Sequence, residues 1–164
     1  MISGARLEDV TNLADGEIST VGKSDTVIVI GGANDVNKNE ANVGLKYLGK
    51  FVKNRQNTNI MIVTAPTRYD LQETSCVNKE IEVFNRKLHK VVKTADNAKI
   101  IQANLSRNDF RCHGLHLNVS GKEKMARLIG ENIKKLMSRK EEKPFILEWE
   151  ENQKDAAQKE TRKS

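Results

Sequence analysis

Three short apolar runs punctuate an otherwise polar chain. Val27 to Ile30, in DTVIVIGGAND, stops at Gly31-Gly32. Ile60 to Val63, in NIMIVTAP, repeats the design, with Pro66 beyond it. AKIIQAN holds a third, shorter run around Ile100 and Ile101. Unbroken apolar runs of this length predict strands covered on both faces. Between them the spacing changes to that of helices. Apolar residues fall at Ala41, Leu45, Leu48 and Val52, then at Val77, Ile81, Phe84, Leu88, Val91 and Ala95. A last stripe comprises Met125, Leu128, Ile129, Ile133 and Leu136. Residues so spaced share one face of a helix. Ser120, with Glu123 three residues on, reads as the capping box of the last helix. Ser75 and Ser106 read as turn or cap residues.

Alternating strands and helices imply a parallel sheet with helices packed on it. Functional sites of such folds lie beyond the carboxyl ends of the strands. Three segments leave those ends: Gly31 to Asp35, Thr64 to Arg68, and Asn104 to His116. One domain is expected over residues 1–138. Residues 139–164 are dense in Lys, Glu and Gln and read as a disordered or loosely helical tail. Within the tail, Phe145, Ile146 and Trp149 form a small apolar island able to dock on the domain or a partner.

Charge narrows the partners. The chain of 164 residues carries a formal net charge of +6. The tail has seven basic and seven acidic residues, so the excess lies in residues 1–138. A pI near 9.3 permits weak attraction to polyanions. The few aromatics are not interleaved with the basic residues, so no stacking platform for nucleic acid is visible. A solvated basic surface is the plainer reading. No apolar run approaches the ~20 residues that span a bilayer. Met1 to Gly4 lacks the regions of a signal peptide. Cys76 and Cys112 match no zinc or redox spacing, which suits a reducing compartment. A soluble, intracellular, cytoplasmic protein without cofactor or metal is expected, with Cys112 a packing residue.

Candidate chemistry gathers in three pieces. ISGARLEDVTNL sets Gly4 ahead of an amphipathic start. GGAND follows the first strand. DFRCHGLHLN places His113 and His116 just before the last helix. Taken singly, each has a plain structural reading. Gly31-Gly32 can simply end a strand, Asn34-Asp35 can cap a helix, and His116 can be a surface histidine. His89 lies off its apolar stripe and reads as solvated.

Together these pieces resemble the SGNH (GDSL-type) hydrolases, a family of esterases and lipases. The resemblance is nearest to small SGNH domains of insect genomes and retrotransposon reading frames, and it covers roughly residues 1–137. It implies an α/β fold: a three-layer α/β/α, flavodoxin-like architecture with a mainly parallel sheet. The family's Gly-Asp-Ser block is not found, so the resemblance also implies that the first strand and its nucleophilic serine are missing. Gly4 matches the glycine whose N–H serves the oxyanion hole. Gly32-Ala33-Asn34-Asp35 matches the G-x-N-D block, with Gly32 at its turn and Asn34 as the second oxyanion donor. His116 matches the general base of the D-x-x-H block, where His113 stands in place of the acid.

Acyl transfer builds negative charge on a carbonyl oxygen, and fixed donors aimed at it lower the barrier by a few kcal/mol each. A serine needs an adjacent imidazole to take its proton. Without the serine no acyl-enzyme forms. Asp109 is close in sequence but off the motif's spacing. The expected function is therefore an esterase-like domain retaining oxyanion and base positions but inactive as it stands. Its substrate class would be an ester or an acylated small molecule or lipid. The alternative is a non-catalytic, retroelement-derived module that binds a protein partner, nucleic acid or lipid. A flavodoxin-like small-molecule binder is the third reading, but GGAND lacks the G-x-G-x-x-G spacing of a phosphate cradle. A sheet lacking its first strand leaves unpaired edges. The purified chain is expected to be marginal or aggregation-prone, and a cooperative melt of the monomer at high temperature would contradict this.

Overall fold

The computed structural model describes residues 4–17 and 21–141. The order is α1 (Leu7–Glu17), β1 (Thr26–Ile30), α2 (Ala33–Asn37), α3 (Ala41–Asn54), β2 (Asn59–Val63), α4 (Cys76–Lys93), β3 (Ala98–Ile101) and α5 (Val119–Glu141). The strands form one parallel sheet in the order β1-β2-β3. Ile30 pairs with Val63, and Val63 with Ile101, so all three carboxyl ends share one edge.

Alternate strand residues feed two separate cores. Val29, Ile60, Ile62 and Ala98 face the layer of α1, α3 and α4, where Leu7, Leu48, Phe51, Phe84 and Leu88 are 0–2% exposed. Met61, Val63 and Ile101 face α5, which contributes Met125, Leu128, Ile129, Ile133 and Leu136. This is the expected three-layer α/β/α arrangement. Each large side chain fully buried in these layers contributes about 1.5–3 kcal/mol of transfer free energy.

The chain departs from expectation at three points. Every residue of β2 from Ile60 to Val63 is buried, but β1 is not covered on both faces. Its terminal residue Ile30 is 58% exposed, on the side where α5 packs over β2 and β3. Among the described residues, β1's outer edge pairs with no strand. Second, α5 already begins at Val119, so Ser120 lies inside the helix. The cap is Asn118, whose Oδ1 accepts from the Gly121 N–H at 2.9 Å. Third, α5 continues to Glu141, across the boundary expected at 138. Phe145, Ile146 and Trp149 lie outside the described residues.

Gly32 shows how tightly the first loop is packed. Its φ is +99°, and a Cβ there would lie 2.5 Å from the Phe84 ring. Both the backbone conformation and the space require glycine. Gly32→Ala is expected to destabilise the fold by about 2–4 kcal/mol, through strain and displacement of a core aromatic. Urea unfolding measures this, and a midpoint unchanged from the parent chain would contradict the packing.

Candidate functional site

The loop after β1 is built around a buried carboxylate. Asp35 is 1% exposed, and both its oxygens accept from the Leu7 N–H, at 3.0 and 3.2 Å. That N–H belongs to the first turn of α1, where no intrahelical acceptor exists. Asp35 therefore caps α1 across 28 residues of sequence. Asn34 and Asp35 lie inside α2, whose N-cap is Gly32, so they do not cap the helix that follows β1. Gly44 leaves room for the carboxylate, since a Cβ there would lie 2.3 Å from Asp35 Oδ1.

Asn34 grips the same incoming segment from its other side. Its Nδ2 donates to the Ala5 carbonyl at 3.0 Å. An amide nitrogen carries two N–H groups, so this bond commits one of them. Gly4, exposed with φ of +73°, directly precedes Ala5. The carbonyl that Asn34 holds thus belongs to the residue after Gly4.

The loop after β3 presents both histidines at a tight turn. Phe110 and Leu117 form an isolated antiparallel bridge. The Arg111 N–H donates to the His116 carbonyl and the Gly114 N–H to the Arg111 carbonyl, both at 2.8 Å. Arg107 adds bonds to the carbonyls of Arg111 and Cys112. Asn118 fastens the base of the turn, donating to the carbonyls of Asn108 and Phe110 while capping α5. Cys112 sits at this turn's surface and is exposed, contrary to the packing role expected for it.

The His113 and His116 rings meet edge to face, with centroids 5.3 Å apart and planes at 87°. His113 Nδ1 accepts from the Leu115 N–H at 3.3 Å. A ring nitrogen that accepts carries no proton, so the proton of a neutral His113 sits on Nε2. Both rings are exposed. His89 is also exposed, and its ring lies 2.6 Å from the Gln102 amide.

Asp109 is engaged by Ser106 and Lys124. Its Oδ2 accepts from the Ser106 N–H at 2.7 Å, the Ser106 hydroxyl at 3.1 Å and Lys124 Nζ at 2.9 Å. The Ser106 N–H, then Lys124, hold its carboxyl below the ordinary range. Asp109 is a structural staple between the turn and α5. The carboxylate beside His113 is Asp70, which composition and spacing did not single out. The Tyr69 N–H donates to the Gly114 carbonyl at 3.1 Å. A Cβ on Gly114 would lie 2.6 Å from the Asp70 nitrogen. Arg68 grips Asp70 with two bonds, at 2.6 and 2.7 Å. Those bonds first, and the charges of Arg68 and His113 after them, keep the Asp70 carboxyl low. Arg68 also reaches Asn37 Oδ1 at 3.4 Å. Tyr69 donates to the Leu105 carbonyl and packs on Phe110, ring centroids 5.1 Å apart. The three loops at the sheet's carboxyl edge are thereby linked.

Of the expected site residues, Gly32, Asn34 and Gly4 fall in one group, and His113 and His116 in another. Among the described residues no hydrogen bond or ring contact joins the groups directly. The Arg68–Asp70 pair lies between them. Ser75 Oγ accepts from the Asn78 N–H as the cap of α4, and Ser106 is committed to Asp109. Among the described residues, no group of three or more His, Cys, Asp or Glu side chains could hold a metal. No helix there is long and apolar enough to cross a membrane.

Comparison with known proteins places this architecture. No family model and no curated protein matches the chain. Solved structures do. A carbohydrate esterase family 3 protein from Talaromyces cellulolyticus matches with a TM-score of 0.65 and 20% identity, over 84% of this chain and 70% of that one. A serine-to-alanine mutant of an acetyl esterase with acetate ion matches to the same extent: TM-score 0.65, 20% identity, 84% and 70% coverage. The chain has the α/β fold of these esterases.

Two carboxylates give opposite acid responses. Burial raises the Asp35 carboxyl above its ordinary 3.8, with the Leu7 N–H opposing. A raised folded value contributes stability that is complete below 3.8 and lost as pH rises through the folded value. Asp109, held low, contributes stability above 3.8 that is lost as pH falls through its folded value. Relative to the parent, Asp35→Asn should therefore fall further behind on acidification, and Asp109→Asn should catch up. Urea midpoints between neutral pH and pH 3 measure both, and parallel curves for the two variants would contradict the assignment. Asn118→Ala, which removes three hydrogen bonds, is expected to cost about 2–4 kcal/mol. A loss below 1 kcal/mol in the same assay would remove Asn118 from the turn's framework.

Proposed function

We propose that this chain is an SGNH-type acyl-hydrolase-like domain that keeps the anion-stabilising and base positions of an esterase site without a serine nucleophile of its own. The observation that carries the reading is the clamp at the first loop. Asn34 and Asp35, adjacent in GGAND, hold Ala5 and Leu7, in the segment that directly follows Gly4. An amide side chain and a glycine N–H are donors that lose no proton, as an oxyanion site requires. The esterase fold supports the reading, as does the position of His116 at the same sheet edge.

His116 acts as base in this reading, with His113 in the acid's usual place. The Asp70–Arg68 pair supplies the nearest anionic charge to His113. In esterase sites an anion against the imidazole fixes its tautomer and stabilises the cation. Here that charge reaches His116 only across His113. The substrate class is an ester or acylated small molecule or lipid.

A second reading, as a non-catalytic binding module, is favoured by a lysine-lined groove between α3 and α4.

A fluorophosphonate probe separates an activated serine from a bare scaffold. No labelling of the 164-residue chain is expected. Hydrolysis of p-nitrophenyl acetate should stay near that of free imidazole. Stoichiometric labelling of any serine would overturn the proposal.

A further inference from the structure

Stretches of two neighbouring helices carry cations with no acid among them. Helix α3 contains Lys46, Lys50 and Lys53 and no acidic residue. The last two turns of α4, from Arg86 to Lys93, contain four cations and no acid. The helices lie side by side: Lys87 Nζ donates to Asn42 Oδ1 at 2.8 Å, and a Cβ on Gly49 would lie 3.5 Å from Val91 Cγ1. Between their carboxyl-terminal halves runs an open groove of about 630 Å³. Lys46, Lys50, Lys53 and Lys90 wall it; Leu45, Gly49 and Val91 lie along it, with no acidic side chain among its lining residues. The four lysines are exposed. The ion pairs among the described residues engage Arg6, Arg55, Arg68 and Lys124 instead.

Helix electrostatics does not account for this pattern. Cations in a last turn complement the helix dipole, but the effect fades within that turn. Lys46 and Lys50 lie further in. Like charges at i and i+4, as at Lys46 and Lys50, repel and destabilise a helix. A solvated face normally intersperses acids, and this one has none.

We infer that the groove between α3 and α4 binds the sugar-phosphate backbone of single-stranded nucleic acid. Lys46 to Lys53 spans about 10 Å of helix axis, at 1.5 Å per residue, with Lys90 on the opposite wall. That length matches a few consecutive phosphates of one strand, given the ~3.4 Å of axis per charge in each strand of a duplex. The apolar residues between the lysines offer a surface for sugars and bases. A duplex is wider than the ~8–10 Å between packed helix axes and would not enter. A lipid surface would call for apolar side chains projecting among the lysines. Val43, 46% exposed, projects from α3 a turn before Lys46 but outside the groove's lining, and the other large exposed ones, such as Ile30, Leu115, Val119 and Met137, lie on other elements. With no aromatic among the groove's lining residues, the site should bind through phosphates and show little sequence preference. The inference holds whether or not the site at the sheet edge acts on esters.

The test is fluorescence anisotropy of a labelled 20-nucleotide oligouridine with the 164-residue chain, between 50 and 200 mM salt. Four phosphate contacts give an expected slope of log K against log salt near −3. The variant K46E/K50E/K53E should lose roughly tenfold or more in affinity and about two units of slope. The variant K122E/K134E/K135E makes the same charge change on exposed positions of α5 and should stay within about threefold. Melting curves check that both variants fold. If the groove variant melts early, Lys50→Glu alone should still give a two- to threefold loss, roughly one weakened contact. Equal losses in both triple variants would reduce the effect to net charge and overturn the inference. So would absence of binding at 50 mM salt. Phosphatidylserine vesicles binding more tightly than the oligonucleotide, and released by the groove substitutions, would overturn it in favour of a membrane surface.

Discussion

One buried carboxylate ties the candidate site to the fold. Asp35 gives both its oxygens to the first N–H of α1, and its neighbour Asn34 takes the Ala5 carbonyl. A carboxylate that is 1% exposed is costly unless hydrogen-bonded. The free N–H at a helix start is the kind of donor that offsets this cost. The bond ties the start of α1 to the first loop, with Leu7 in the main core. The Asn34–Ala5 bond and the Arg6–Glu40 ion pair hold the same segment beside it.

The other half of the site depends on topology more than on any single bond. Parallel pairing in register sends all three strand ends to one edge. From there a polar chain runs Asn37, Arg68, Asp70, and on to the backbone of Gly114 beneath the histidine turn. Such exposed contacts are individually weak and screened. Their role is to keep the loops in relation to one another, while Asn118, Arg107 and Tyr69 hold the turn's backbone. The loops at the sheet's carboxyl edge are therefore held together, and the imidazoles they present stand in solvent.

The layered fold was legible because the sheet is short and parallel. Ile60 to Val63 is apolar at every position because both faces are covered, and the run shows it. The same signal misled at β1. Thr26 to Ile30 is as apolar as β2, yet an edge strand and a central strand of a parallel sheet read alike. What covers the second face is decided by a distant helix, and α5 packs over β2 and β3. The cap of α5 was misplaced for a related reason. Asn118 and Ser120 are both capping residue types, and only the bond to Gly121 distinguishes them. The loops that carry Gly32, Asn34 and the two histidines were readable as segments leaving strand ends. Their partners were not, because Leu7 with Asp35 and Tyr69 with Gly114 are contacts between segments far apart in the chain. Asp70 beside His113 belongs to this class: its one local clue was its place just past Thr64–Arg68, a segment leaving a strand's carboxyl end. Cys112 was misjudged because a free thiol is usually buried, whereas here its position on a surface turn decides.

Whether the two groups of residues form one anion site can be read directly by nuclear magnetic resonance. Acetate, titrated into the isotope-labelled chain, should shift the Gly4 amide, the Asn34 side-chain amide and the His116 ring along one saturable curve. Shifts confined to His116 and His113, with Gly4 and Asn34 unmoved, would show that the imidazoles and the amide donors serve separate surfaces.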